Sequence, residues 1–336
     1  TGVLGYKNPR PQIGDRAMWS EHFKNNGYYA ARVSKIFHMG VPGGVLQGGD
    51  GRDHDRGNGA DDARSWTERF NSLGPEWKAP GDGETLEGNP DGKRPVVGGN
   101  TFVVVEAEGD DLVHSDGMTS AKAVELLQQR GNKPFWLGVG FVRPHVPFVS
   151  PRKYYKPFLP YSSMTLPEKR SGDWEDIPKA GINYKTSVNM KMDIRRQKKA
   201  VGGYYASVAF MDAQVGKVLH KLDQQGLRDN TIVIFTADNG AENLAFDRLE
   251  TFNHWSSGRY RGVKRDLYEG GIRVPLIAYW PGRVKAGSVN DHICAHWDLM
   301  PTFCELAKIS TPTHTDGISY VPALTGGKQK KHDYLY

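Results

Sequence analysis

The chain has 336 residues, 38% of them hydrophobic and 24% charged, and its formal net charge is +6. These values fit an ordinary globular protein that is long enough to bury a full core, as one large α/β domain or as two domains. No apolar run approaches the length of about 20 residues that spans a membrane, so we expect no membrane span. The positive charge indicates an anionic partner without identifying it.

Two features of the sequence argue against a zinc-binding or disulfide-rich protein and against a nucleic-acid-binding protein. The cysteines, Cys294 and Cys304, match no zinc-binding pattern and cannot form a disulfide framework. We expect two small buried hydrophobic residues, with a single bridge as the alternative. The basic run at residues 195–199 lacks the interleaved aromatic residues of a surface for single-stranded nucleic acid. It is typical of the solvated start of a helix, and we expect no nucleic-acid partner.

The first hundred residues predict a helix, a strand and a long excursion. Residues 15–26 have the pattern of a helix, with Asp15 as its N-cap and Gly27 just beyond its end. Residues 28–33 are typical of a strand. Residues 40–100 are rich in Gly, Asp, Asn and Pro, which predicts a surface excursion with at most a short helix at 61–72.

The rest of the chain alternates between strand and helix patterns, which predicts an α/β fold with a mainly parallel sheet. The clearest helix has apolar residues at steps of three or four and ends at Gly226. Predicted helices cover residues 115–130, 204–225 and 298–309, predicted strands cover 135–142, 232–235 and 274–279, and residues 143–190 are expected to be irregular.

The segment TADNG at residues 236–240 directly follows the apolar run at 232–235. That run has the composition of a strand buried on both faces, which indicates the middle of a parallel sheet. Ligands bind beyond the carboxyl ends of such strands, so Asp238 and Asn239 lie where chemistry is expected. Both offer hard oxygen ligands for Ca²⁺ or Mg²⁺. The alternative is an Asx turn closed by Gly240.

Four further residues with chemical potential lie near predicted strand ends. Lys35 and His38 follow the strand at 28–33, His145 stands between two prolines after the strand at 135–142, and Lys264 precedes the strand at 274–279. Each is weak evidence alone, since a single His or Lys is usually structural or solvated. Together with Asp238 and Asn239 they supply two cations, two imidazoles and a metal-ligand pair. Such a set fits a tetrahedral oxyanion, sulfate or phosphate, with proton transfer to a leaving alcohol.

Several segments, in this order, resemble the formylglycine-dependent sulfatases of the alkaline-phosphatase-like superfamily. They are SKIFH (34–38, with Ser34 where the family has Gly), FWLGVGFVRPHVPF (135–148), YYASVAFMDAQVGKVLHKLD (204–223), TADNG (236–240), RGVKRDLYEGGIRVPLIAYWPGRVKAG (261–287), HWDLMPTFCELAKI (296–309) and TDGISYVPAL (315–324). Some resemble iduronate-2-sulfatase and others arylsulfatases. The resemblance implies a mainly parallel sheet sandwiched by helices, and Ca²⁺-dependent hydrolysis of sulfate esters.

The resemblance also implies roles for the candidate residues. Asp238 and Asn239 would be ligands of one Ca²⁺ ion. Lys35 and Lys264 would hold sulfate oxygens, and Lys264 or His145 would protonate the departing alcohol. His38 would contact the formylglycine and act as the base that expels sulfate from the covalent intermediate.

The chain departs from the family at the nucleophile. It lacks the C/S-x-P-S-R signature from which formylglycine is made, and it lacks the paired aspartates of the family's first strand. We therefore expect the sequence to start just after this signature, with the remaining Ca²⁺ ligands upstream of Thr1. On this hypothesis residues 1–336 are part of a single catalytic domain without its first strand and C-terminal subdomain. The chain as written would then not turn over sulfate esters.

The substrate and two alternatives stay open. The mixed resemblance suggests a sulfated glycan, contacted by Arg143, His254 and Trp255 and shaped by the loops at 40–100 and 150–190, with a secreted or periplasmic location. The first alternative is a phosphodiesterase or phosphonate hydrolase of the same superfamily. The second is a catalytically dead module that binds sulfated glycans, which the missing nucleophile and the positive charge both favour.

Overall fold

The computed structural model describes residues 9–37, 61–86, 102–166, 192–240, 257–264 and 266–334. The chain divides into two compact units, one formed by residues 1–221 and 238–274 and the other by residues 222–237 and 275–336. The candidate residues Lys35, His145, Asp238, Asn239 and Lys264 all belong to the first unit. His38, His254 and Trp255 lie outside the described residues, as does most of the 40–100 excursion.

Short strands alternate with helices in the first unit. Its described strands are β1 (Tyr29–Ser34), β2 (Glu68–Phe70), β3 (Gly81–Thr85), β4 (Val103–Ala107), β5 (Phe135–Gly140) and β6 (Phe148–Pro151). The helices that begin in it are α1 (Arg10–Ile13), α2 (Trp19–Asn25), α3 (Ser115–Gln129), α4 (Ile194–Gln224) and α5 (Glu269–Ile272).

Two three-stranded sheets organise this unit. The first has the order β2-β1-β5 with both pairings parallel, and its register places Ser34 opposite Gly140. The second has the order β3-β4-β6, with β3 antiparallel and β6 parallel to β4. The α/β class with mainly parallel pairing is therefore confirmed.

Helix α3 covers one face of the first sheet. Ala31 and Val33 of β1 pack against Ala123 and Leu126 of α3, and all four side chains are buried. Alternate residues of a strand face the same side, so the small and β-branched residues of β1 form a surface onto which the helix fits closely. This packing brings the N-terminal end of α3 close to the carboxyl ends of β1 and β5.

The second unit contains β7 (Val233–Thr236), β8 (Leu276–Tyr279), α6 (Leu299–Ala307) and α7 (Val321–Thr325). The buried carboxylate of Asp298 joins its loops, because it accepts hydrogen bonds from the N–H groups of Ala295 and Ile318, each 2.8 Å long. The family-like segments at 296–309 and 315–324 therefore meet at one residue.

The expectation that β7 lies buried in a parallel sheet is wrong for the described part of the chain. There β7 pairs antiparallel with β8, and Phe235 is 38% exposed. An apolar, β-branched run identifies a strand, but it cannot show which neighbours the strand receives.

Three other predictions fail in detail within the described residues. The helix at 15–26 begins only at Trp19, and Asp15 pairs with Arg64 instead of capping it. The short helix at 61–72 is wrong, since a single 3₁₀ turn at Ala63–Ser65 precedes β2. The excursion and the irregular stretch also contain β2, β3 and β6, whose short length left no clear periodicity in the sequence.

Helix α4 starts ten residues before its predicted start at 204. The Gly202–Gly203 pair favours a helix boundary in the sequence, yet the helix runs through it. A Cβ on Gly202 would lie 2.5 Å from the Tyr161 ring, and one on Gly203 would lie 2.6 Å from Val104. The glycines are therefore contact points with the neighbouring chain. The basic run at 195–199 lies in the first turns of this helix as predicted, but it is only partly solvated, because Arg196 is buried and Arg195 and Lys199 pair with Glu84.

Both cysteines are free, so the alternative of a single bridge is wrong. Cys304 is buried on α6 as expected, whereas Cys294 is only partly buried. None of the helices that the structure describes combines the length and the apolar character needed to cross a membrane.

Candidate active site

Lys35 stands where β1 ends against β5. Its backbone N–H donates to the carbonyl of Gly140 over 3.1 Å. A Cβ on Gly140 would lie 2.3 Å from the Lys35 carbonyl oxygen, so only glycine permits this approach. The two strand ends are therefore held in contact at the residue that carries the cationic side chain.

The contacts of Ser34 explain how serine can stand where the family segment has glycine. Its φ is 60°, in the left-handed region that glycine adopts without strain and serine does not. The Ser34 hydroxyl lies 2.7 Å from that of Ser72 and 2.8 Å from that of Thr119, and it accepts the N–H of Ser72 over 3.1 Å. These buried hydrogen bonds offset the backbone strain, so serine keeps the turn that leads into Lys35.

His145 is held by its own loop after β5. Its backbone N–H donates to the Val142 carbonyl over 2.9 Å, and its Nδ1–H donates to the Val146 carbonyl over 2.6 Å. Burial, together with the positive charges of Lys35 and Lys264, lowers the pKa of His145 to about 4. At neutral pH the imidazole is therefore uncharged, and Nε2 is an acceptor.

Arg143 is buried, so its side chain is not placed at the surface as the expected glycan contact requires. Its side chain is buried, its guanidinium pairs with the buried carboxylate of Glu76, and its Nε donates to the Val149 carbonyl over 2.8 Å. A buried charge that lost this partner would be strongly destabilising. Arg143 therefore fixes the path of the loop from within.

Asp116 of α3 supports the same loop. Its two carboxylate oxygens accept the backbone N–H groups of Val142 and Arg143, each over 2.9 Å. Burial raises the pKa of Asp116 to about 6, against the opposing effect of Arg143 and of these two hydrogen bonds. The residue before the helix is His114, so Asp116 lies within the first turn of α3.

Asp238 and Lys264 lie in two loops that touch through glycines. Gly240 donates its N–H to the Gly271 carbonyl over 2.9 Å, and Gly270 donates to the Arg261 carbonyl over 2.7 Å. A Cβ on Gly240 would lie 1.9 Å from the Gly270 carbonyl oxygen. The glycines of DNG and of RGVKRDLYEGG are therefore required for these loops to meet.

Four of the six predicted residues, Lys35, His145, Asp238 and Lys264, interact electrostatically. Burial lowers the pKa of Lys35; the charge of Asp238 opposes this effect and the charge of Lys264 reinforces it. The charges of Lys35 and Lys264 also act on His145. These groups are close enough to share an electric field, and Asn239 follows Asp238 directly. His38 stays a prediction, because it lies outside the described residues.

The metal prediction is only partly matched. Asp238 and Asn239 offer a carboxylate and an amide oxygen, the donors that a hard divalent cation prefers. Within the described ranges no group of three or more His, Cys, Asp or Glu side chains is arranged to hold a metal ion. The two residues therefore fit such an ion as part of a ligand set.

The loop that carries Lys264 also exposes apolar side chains and carries cation–aromatic pairs. Leu267 is 88% exposed and Tyr268 is 39% exposed. The guanidinium carbon of Arg261 lies 4.4 Å from the centre of the Tyr268 ring, and that of Arg273 lies 4.5 Å from the Tyr260 ring. This pairing of flat rings with cations offers contacts to a sugar ring and to an anionic group.

Comparisons with known proteins give matches over most of the chain. Residues 64–309 match the family model described as Sulfatase. An arylsulfatase of Clostridium perfringens is 32% identical over 236 residues, which cover 68% of this chain and 45% of that protein. The iduronate 2-sulfatase of Mus musculus is 28% identical over 294 residues, covering 82% and 47%. The chain thus spans about half the length of these relatives.

Solved structures show the same fold. One, described as a complex with its substrate D-glucosamine-2-N,6-O-disulfate, superposes with a TM-score of 0.59 at 18% identity. The superposition covers 99% of this chain and 71% of that one.

Proposed function

The chain belongs to the sulfatase family, and we propose that the protein of which it is part hydrolyses sulfate esters at the site around Lys35. The observation that carries the proposal is the shared electrostatic environment of Lys35, Lys264 and His145 beside Asp238. Two cations and a neutral imidazole next to oxygen ligands suit a doubly charged transition state that must release an alcohol.

The two lysines would bind the sulfate oxygens. Lys35 is held rigidly by the β1–β5 contact, and its half-buried position strengthens its attraction for an anion. Lys264 approaches from the glycine-rich loop. An anion between them would also relieve their mutual repulsion, so the site favours a bound sulfate group over an empty state.

Between the two candidates for the proton donor, the hydrogen bonds favour Lys264. His145 uses its ring N–H on the Val146 carbonyl, and its lowered pKa leaves Nε2 without a proton at neutral pH. We therefore propose that His145 accepts a hydrogen bond and orients the substrate, while Lys264 donates the proton to the departing alcohol.

Sulfatases generally depend on a metal ion, and we propose Ca²⁺ with Asp238 and Asn239 among its ligands. The ion would supply positive charge next to the sulfate group. The family's nucleophile, formylglycine, would come from a C/S-x-P-S-R segment that residues 1–336 do not contain. We propose His38 as the residue that contacts it, and both units as parts of one catalytic domain.

A sulfated glycan is the proposed substrate class. The solved relative binds a disulfated glucosamine, and the arginine–tyrosine pairs near Lys264 offer ring and anion contacts. We propose a secreted or periplasmic location, where such polymers occur.

The test compares hydrolysis of an aryl sulfate and an aryl phosphate by the full-length gene product that contains this chain. We expect sulfate to be preferred, and Lys35→Ala and Lys264→Ala each to lower the rate about 100-fold. Lys133→Ala, at an exposed lysine, is the matched control and should leave the rate unchanged.

Each other outcome selects an alternative. Preference for phosphate would replace the proposal with a phosphoester hydrolase. Retention on heparin without turnover, and without formylglycine in the mass spectrum, would identify a binding module.

A further inference from the structure

The first turn of α3 is unusually polar for a buried segment. Ser115, Asp116, Thr119 and Ser120 are each no more than 1% exposed. Most buried polar side chains are hydrogen-bonded, because an unpaired buried polar group is costly, so the partners of this turn indicate what it does. The turn faces the ends of the two strands that lead to Lys35 and to His145.

Asp116 holds the strand end that leads to His145. Both of its carboxylate oxygens are used, one on the N–H of Val142 and one on the N–H of Arg143. Two acceptors on one rigid side chain fix both the position and the orientation of this peptide. His145 follows two residues later and donates its own backbone N–H to the Val142 carbonyl.

Thr119 holds the strand end that leads to Lys35. Its single hydroxyl proton is donated to the Ser115 carbonyl over 2.9 Å, so toward its other neighbours it acts as an acceptor. The hydroxyl of Ser34 lies 2.8 Å away and that of Ser72 lies 2.9 Å away. Thr119 therefore completes the hydroxyl cluster that stabilises the left-handed turn at Ser34.

Asp116 and Thr119 are three residues apart, so they lie on the same face of α3. Two neighbouring residues of α3, Gly117 and Ser120, hold this part of the helix in place. A Cβ on Gly117 would lie 1.7 Å from the Asp111 carbonyl oxygen, and the Ser120 hydroxyl donates to Gln214 of α4 over 2.9 Å. The same turn of α3 therefore forms hydrogen bonds to the ends of two strands.

We propose that the first turn of α3, through Asp116 and Thr119, sets the separation between Lys35 and His145. Both are positioning residues, since they act through the backbone of β1 and of the loop after β5. The inference rests on the proposed function of Lys35 and His145. The new element is that the distance between these two groups is set by α3, which packs on one face of the sheet and acts through the strand ends.

The experiment uses near-isosteric variants in the full-length gene product. Asp116→Asn keeps one acceptor and turns the other into a donor against a backbone N–H, and Thr119→Val removes the hydroxyl. Ser120→Ala is the matched control: it removes an equally buried hydroxyl from the same turn, one that bonds to α4 instead of a strand end.

We expect kcat to fall about 100-fold in Asp116→Asn and about 10-fold in Thr119→Val, because small displacements of reacting groups are costly. Ser120→Ala should leave kcat within about threefold of the wild type while losing comparable thermal stability. The proposal is overturned if the three variants lose activity in proportion to their stability.

A second measurement does not require turnover. The imidazole of His145 is titrated by NMR, and in Asp116→Asn its pKa should rise from about 4 toward the ordinary value of 6.5, because the loosened loop admits water. Ser120→Ala should leave it unchanged. An unchanged His145 titration in folded Asp116→Asn would refute the positioning role even if the protein proved not to be a hydrolase. Absence of sulfate hydrolysis with a shifted titration would refute only the proposed function.

Discussion

The two halves of the candidate site are held by different physical means. The strand-end half comprises Lys35 and His145, which follow β1 and β5 and whose backbone is fixed by side-chain hydrogen bonds from α3. The glycine half comprises Asp238 and Lys264, whose loops meet through backbone contacts among glycines. The strand-end half depends on these functional groups in addition to the close glycine contact at Gly140, whereas the two loops of the glycine half meet through glycines alone.

This difference determines how each half can fail. A side-chain hydrogen bond contributes about 1 kcal/mol, and carboxylates and imidazoles also change with pH, so the strand-end half can be weakened in steps. A contact between two backbones has no side chain that can move aside. Any substitution there displaces a whole loop, so the glycine half should be intact or lost.

The largest effect is expected in the glycine half. A Cβ on Gly270 would lie 1.9 Å from the Gly262 carbonyl oxygen and 2.6 Å from that of Arg261. Gly270→Ala should therefore lower the free energy of unfolding by more than about 3 kcal/mol, because backbone must move. Urea unfolding measures it. Gly216→Ala, where α4 leaves open space, is the control and should raise stability by about 0.5 kcal/mol.

A similar loss in the strand-end half requires breaking its buried ion pair. Glu76→Gln removes the carboxylate that pairs with the buried guanidinium of Arg143, which should cost about 3 kcal/mol. Urea unfolding against Glu269→Gln checks this, since Glu269 pairs with Arg273 at the surface and should cost less than about 0.5 kcal/mol. Equal losses in the two variants would mean that the buried pair does not support the loop.

Only the strand-end half should respond to mild acid. The folded protein resists protonation of His145 down to about pH 4, whereas the unfolded chain takes up the proton near pH 6.5. Stability is therefore lost as pH falls through this window, by about 3 kcal/mol at pH 4 relative to His145→Gln.

The comparison is made by urea unfolding of both proteins at pH 7 and pH 4. Asp116, whose raised pKa has the opposite effect, is present in both proteins and cancels. A stability difference that is the same at both pH values would show that His145 is not buried in its neutral form.

The smallest expected effect is the difference in stability between two variants at Ser34, which separates backbone strain from hydrogen bonding. Ser34→Ala loses the hydroxyl cluster and keeps the left-handed backbone, and it should cost about 2 kcal/mol. Ser34→Gly loses the same bonds but relieves the strain, so it should cost about 1 kcal/mol less. Thermal unfolding of the two variants decides the order. If glycine were the worse substitution, the positive φ would not be the constraint at this position.

The sequence indicated the candidate residues more clearly than it indicated their surroundings. Lys35, His145, Asp238 and Lys264 were identified because cations, imidazoles and oxygen ligands clustered at strand ends, and the structure places them in one electric field. Asp116 and Thr119 gave no such signal. In sequence, an acid and a hydroxyl near a helix start look like caps, and only the fold shows that they face two strand ends.

The errors in the fold have the same origin. β2 and β6 are three and four residues long, too short to show a period. Gly202 and Gly203 look like a helix boundary until Tyr161 and Val104 are seen against them. In each case the deciding contact comes from a part of the chain far away in sequence.

Ser34 has a consequence for how such chains are found. A search pattern that demands glycine before the lysine of this segment excludes the present sequence, although Ser34 has a φ of 60°, in the region that glycine adopts without strain. The constraint at position 34 concerns a torsion angle and is met either by one residue without a side chain or by three hydroxyl-bearing residues together. Patterns that allow serine when Ser72 and Thr119 equivalents are present would recover members that a single-column motif discards.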